Sequence, residues 1–144
     1  MDGYKKAAMG SVDSMAEFYE NIADSIWEKP ELSLKEYGSA ALYCGALRSL
    51  GFTVEEKLCG IDTAFSGSFG SGRPVIGILG EFDALSGLSQ KAGVCAPETI
   101  VPGGSGHGCG HNLLGAGALA AAAAVKRFLE TSGLPGTVVF YGCP

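Results

Sequence analysis

Residues 112–130 constrain the fold most. They form an alanine-rich helical stretch set between two short apolar runs, Val75-Ile76-Gly77-Ile78-Leu79 and Val138-Val139-Phe140-Tyr141. An apolar strand, a crossover helix and a second apolar strand make a βαβ unit, which places the two strands parallel in one sheet. The chain is therefore expected to be of the α/β class. The run at 75–79 is almost wholly apolar, which predicts a strand covered on both faces. The alanines between Ala116 and Ala124 let a helix backbone approach a sheet closely. Asn112 is the expected N-cap, and Gly133 with Pro135 is expected to stop the helix. The second strand is expected over 137–141.

The remaining elements read as follows. Val12, Met15, Ala16, Tyr19, Ile22, Ala23 and Ile26 recur at three- and four-residue spacing, predicting a helix over 11–27 capped by Ser11 or Ser14. A second helix is expected over 35–50, with Gly51 closing it. Strands are expected over 52–58, 63–69 and 73–79. Residues 85–106 have no period and contain Pro97 and Pro102. A loop of that length in a compact domain is usually functional. Ligands of α/β sheets gather beyond the carboxyl ends of the strands. Glu81, Phe82, Asp83, the loop at 103–111, Cys143 and Pro144 all fall there. No repeat or linker composition divides the 144 residues, so one domain is expected.

Composition excludes several classes. Hydrophobic residues at 47% against 17% charged argue against disorder. A net charge of −5, with no basic block to offset it, makes nucleic acid a poor partner. The longest apolar stretch, 116–125, falls short of the ~20 residues that span a bilayer. No targeting segment is expected at the N-terminus. The five cysteines are odd in number and dispersed. They predict no disulfide framework and fit a reducing cytoplasm.

The chemistry concentrates in Gly106-His107-Gly108-Cys109-Gly110-His111-Asn112. Three potential metal ligands alternate with glycine, and in a tight or extended backbone alternate residues point the same way. Thiolate and imidazole both bind zinc and related divalent ions. Cys109 also precedes a helix N-terminus, which favours the thiolate. The bland alternative is a glycine-rich turn holding a buried thiol and hydrogen-bonded histidines, and pattern alone does not separate the two. Glu81 and Asp83 end the most apolar strand. There they can serve a cation, orient a histidine ligand or cap the next turn.

Taken together, these segments resemble the M20 metallopeptidase family, and most of all its amidohydrolase branch typified by aminobenzoyl-glutamate hydrolases. The likeness is carried by Gly80-Glu81-Phe82-Asp83-Ala84-Leu85-Ser86-Gly87-Leu88-Ser89-Gln90 and by the Gly106–Asn112 segment. Pro30-Glu31-Leu32-Ser33 with Glu36, Gly70-Ser71-Gly72-Arg73-Pro74-Val75-Ile76, and Phe140-Tyr141-Gly142-Cys143-Pro144 add to it. The resemblance implies a zinc-peptidase-like catalytic domain, here its N-terminal half, with a mixed sheet, flanking helices and the lid or dimerisation domain absent. It implies two divalent ions, Mn²⁺ or Zn²⁺, with Cys109 a bridging ligand and His111 a second ligand. Asp83 would support the site. Glu81 stands where the wider family often has histidine, so it and His107 are assigned to substrate or outer contacts. The family's general-base glutamate lies just after the Gly-Cys-Pro ending, so the resemblance implies that this residue falls beyond Pro144. The expected substrate is an acyl- or aroyl-amino acid, such as aminobenzoyl-glutamate, or a small peptide. The chain alone is expected to be inactive, with a non-catalytic metal-binding or oligomerising fragment as the alternative. Residues 138–141, lacking later neighbours, are expected to form an apolar edge strand that drives homo-oligomerisation or association with a C-terminal portion.

Overall fold

The computed structural model describes residues 2–144. Four helices and four strands follow in the order α1 (Asp2–Asp13), α2 (Ala16–Trp27), α3 (Tyr37–Ser49), β1 (Thr53–Glu56), β2 (Phe65–Ser71), β3 (Val75–Glu81), α4 (His111–Ser132) and β4 (Gly136–Cys143). A single 3-10 turn, Leu58–Gly60, lies between β1 and β2. The sheet order is β1-β2-β4-β3. β1 and β4 both run antiparallel to β2, and β3 runs parallel to β4. The expected βαβ unit is therefore β3-α4-β4, within a mixed sheet.

Several boundaries differ from expectation for local reasons. The helix expected over 11–27 is two helices that break at Ser14 and Met15. Ser11 lies inside α1 rather than capping α2, and its hydroxyl donates to Ala8 O at 2.6 Å. Such back-bonding uses the hydroxyl within the helix and leaves none for a cap. Asn112 does not cap α4. Gly110, in the left-handed region at φ 77°, takes the cap position. Asn112 is instead buried inside the helix.

The core forms on one face of the sheet. Along β4, Val138 and Phe140 are fully buried and alternate with more accessible neighbours. They meet Tyr43 of α3, Phe65 of β2 and Phe82, with ring centroids 5.5–6.1 Å apart. Leu119 and Ala122 of α4 and Ile26 of α2 close the cluster. Aromatic contacts of this kind add to the stabilisation from area burial alone. Gly115 lets α4 come this close, because a Cβ there would lie 2.4 Å from Tyr43 Oη and 2.6 Å from the Glu81 carbonyl oxygen. α4 is long and apolar enough to cross a membrane by length and composition. In this fold it lays Ala116, Leu119, Ala120 and Ala122 into the core.

Two expectations about exposure are corrected. The run at 75–79 is not covered on both faces: β3 is an edge strand, and Val75 and Leu79 are 61% and 64% exposed. β4, expected at the edge, lies inside the sheet between β2 and β3. The apolar edge exists, but β3 carries it. The β2–β4 pairing decides this, since it extends from Phe65↔Gly142 to Ser71↔Gly136 and occupies the other side of β4.

Candidate metal centre

Beyond the carboxyl end of β3 the backbone is held by two short segments. Ala84 N–H donates to Glu31 O at 2.7 Å, and Leu32 runs parallel beside Ala84. Leu85 and Gly106 exchange backbone hydrogen bonds of 3.0 and 2.9 Å. Gly106 has to be glycine, because a Cβ would sit 2.0 Å from Leu88 O. The long loop thus returns the Gly106–Asn112 segment to the strand end, as the βαβ reading requires.

The Pro30–Leu32 signature serves as a buttress. The Glu31 carboxylate accepts from Gly38 N–H (2.9 Å), Ser39 N–H (2.8 Å) and the Ser39 hydroxyl (2.8 Å) at the start of α3. These bonds satisfy donors that the first turn of a helix leaves free. Glu36 is fully buried and accepts from Leu34 N–H at 2.9 Å. Sequence reasoning missed both roles. A carboxylate shortly before a helical run was the available signal.

Of the expected site residues, the structure brings His111, Asp83 and Glu81 together. His111 opens α4, and its Nδ1 lies 2.6 Å from Asp83 Oδ1. Its Nε2 lies 3.2 Å from Glu81 Oε2. Asp83 and His111 are largely shielded, with side chains 17% and 18% exposed, while Glu81 is half exposed. An ionised carboxylate only accepts hydrogen bonds, so with Asp83 ionised Nδ1 carries the proton. The lone pair of a neutral ring is then on Nε2, facing a second acceptor on Glu81. Two acceptors at that distance need a proton or a cation between them.

His107 and Cys109 do not join this group. His107 is 5% exposed, and its Nε2–H donates to Ile26 O at 3.1 Å. Burial lowers its pKa, and the bond to Ile26 opposes that. Its ring centroid lies 6.3 Å from that of Trp27. Cys109 sits exposed on the turn ahead of α4. The expectation that alternate residues of this segment point the same way is thus corrected. Gly110 N–H bonds back to His107 O at 3.1 Å, and that turn separates the side chains. Among the described residues no group of three or more His, Cys, Asp or Glu side chains is placed to hold a metal ion. Cys143, at the end of β4, has its thiol pKa raised by burial and by Glu81 nearby.

The chain is 53% identical over 134 residues to one of the subunits of the p-aminobenzoyl-glutamate hydrolase of Escherichia coli (strain K12), a match covering 93% of the chain and 28% of that protein. The chain is a relative of that hydrolase subunit over nearly its whole length. It is also 32% identical over 103 residues to thermostable carboxypeptidase 2 of Saccharolobus solfataricus, covering 70% of the chain and 25% of that protein. Two solved structures share the fold. A putative aminohydrolase from methicillin-resistant Staphylococcus aureus superposes with a TM-score of 0.72 at 23% identity, over 96% of this chain and 34% of that one. A dinuclear metal-binding M20 peptidase from Bacillus subtilis gives 0.71 at 22% identity, over 90% and 35%. No family model matches the sequence. The chain spans between a quarter and three tenths of the length of the curated relatives it matches.

Proposed function

We propose that this chain supplies part of the active site of a metal-dependent hydrolase that cleaves an amide bond in acyl- or aroyl-amino acids or small peptides. The observation that carries the reading is the His111 pair of contacts. Asp83 holds Nδ1 and so directs Nε2, the ligating nitrogen, toward Glu81. A carboxylate behind a ligating histidine fixes its tautomer and raises its basicity. The sulfur, nitrogen and oxygen donors of Cys109, His111 and the neighbouring carboxylates suit Zn²⁺ or Mn²⁺. A divalent ion bound there lowers the pKa of a water and polarises the scissile carbonyl. Cys109 and His111 are its proposed ligands, Asp83 orients His111, and Glu81 borders the substrate side. Among the described residues these donors are not gathered around one point. We accordingly assign the remaining ligands and the general-base glutamate to sequence that the family carries after its Gly-Cys-Pro segment.

The substrate reading draws on the relative whose name specifies p-aminobenzoyl-glutamate, and the metal reading on the neighbour described as dinuclear. The E. coli relative is one subunit of a larger hydrolase, which together with the exposed apolar edge β3 supports association, either with a second copy or with the rest of such a hydrolase. Five free cysteines fit the reducing cytoplasm proposed as its location. A second reading, a metal-binding fragment without turnover, is favoured by the incomplete ligand set. Assaying aminobenzoyl-glutamate hydrolysis by this chain alone, and mixed with the complementary portion of the E. coli relative, separates the two. Turnover only in the mixture is expected for the first, and none in either for the second. Metal content retained undiminished in Cys109→Ser would remove the proposed centre.

A further inference from the structure

The turn carrying Cys109 is flanked by two buried polar side chains that play no part in the chemistry proposed above. His107 Nε2–H donates to Ile26 O at 3.1 Å, and Asn112 Nδ2 donates to Ala23 O at 3.3 Å. Both side chains are at least nine-tenths buried. Their acceptors lie three residues apart on α2, within its last turn and a half. Ile26 O also accepts from Lys29 N–H at the end of that helix. Carbonyls in the last turn of a helix, Ile26 O among them, lack α-helical partners and accept side-chain donors readily. Each of the two side chains also keeps an atom without a partner among the described residues, His107 Nδ1 and Asn112 Oδ1. Burying a polar atom unpaired is costly, so the bonds each residue does make have to offset it. Either position would be filled more cheaply by an apolar side chain if packing were its only role.

We infer that His107 and Asn112 are positioning residues: they pin both ends of the Gly108–His111 turn to the carboxyl end of α2 and so fix where Cys109 and His111 present their donor atoms. The inference rests on the metal reading above. The turn itself is hinged by glycine, with Gly108 and Gly110 on either side of Cys109 and Gly110 at φ 77°. A turn with that freedom leaves the thiol mobile unless its ends are held. Four residues separate the two anchors, and both reach the same helix across more than eighty residues of chain. α2 thereby becomes part of the site without contributing a ligand. Residues that orient ligands from outside typically change metal affinity by ~10–100-fold when replaced.

Titration with Co²⁺ of the 144-residue chain mixed with the complementary portion of the E. coli relative, to which the remaining ligands are assigned, reports on the Cys109 sulfur directly through the thiolate-to-cobalt absorption. The wild-type chain is expected to develop the band and Cys109→Ser to lose it. His107→Phe keeps a planar ring but removes the donor, and is expected to need ~10–100-fold more Co²⁺ for the same absorbance. His107→Gln restores an N–H near the Nε2 position and is expected to return the midpoint to within about threefold of wild type, well inside the range of such outer contacts. Asn112→Ala is expected to weaken the midpoint in the same direction, and it carries the test should His107→Phe fail to fold. A merely structural role would lower the urea midpoint of the metal-free chain and leave the cobalt midpoint unchanged, which would overturn the inference. A Cys109→Ser chain with the wild-type band, or a wild-type chain with none, would instead refute the metal reading, and the inference would fall with it.

Discussion

His107 and His111 stand four residues apart in one glycine-punctuated segment and end in opposite surroundings. His107 enters the protein and donates to a helix carbonyl, where burial favours its neutral form. His111 sits between two carboxylates at the mouth of the sheet, with one nitrogen held and the other facing a second acceptor. The difference arises at Gly110, whose left-handed conformation starts α4 and rotates His111 away from the direction His107 takes. Identical side chains at similar spacing thus become an anchor and a ligand candidate. What separates them is the partner each meets from elsewhere in the chain, Ile26 for one and Asp83 for the other.

That contrast can be broken by substitution. The largest effect is expected for His111→Ala, which should weaken divalent-metal binding beyond the ~100-fold upper range of outer contacts, measured by calorimetry. A His111→Ala chain with wild-type affinity would place the ligand elsewhere. Asp83→Asn should cost ~10–100-fold in the same measurement, because an amide can present its N–H rather than an acceptor to Nδ1 and so lose the tautomer. Glu81→Gln should cost about fivefold at most, the scale of an exposed charge interaction near 1 kcal/mol. A larger loss would promote Glu81 from bystander to ligand.

The two edges of the sheet offer a second comparison. β1 is four residues long and ends in Glu55 and Glu56, both exposed, which are common devices for discouraging further pairing. β3 is seven residues long and exposes Val75, Ile76 and Leu79. Leu79→Lys should therefore reduce association in sedimentation velocity and change unfolding stability by no more than ~0.5 kcal/mol, as for most surface positions. This is the smallest stability effect predicted. Undiminished association would move the contact away from β3.

Much of this architecture was legible in the chain. The alanine helix between two apolar strands identified β3-α4-β4 because its periodicity is local and its alanine and glycine content permits close packing on the sheet. The spacing of Asp83 from the strand and of His111 from the helix start placed both at the strand's carboxyl end. Cys109 and His111 were recognisable as candidate ligands from residue type alone. The break at Ser14 and Met15 was not legible, because the apolar period runs through it unbroken.

The amino-acid order by itself determined the elements and the collection of titratable groups at one end of the sheet, since helix and strand periods and glycine punctuation act over a few residues. Which strand became the edge, which histidine turned inward, and that Glu31 and Glu36 would buttress rather than react were decided only in three dimensions. Each of those outcomes depends on a partner from far along the chain: β2 pairing with β4, the end of α2 meeting His107, and the start of α3 meeting Glu31. A local pattern carries no record of such a partner.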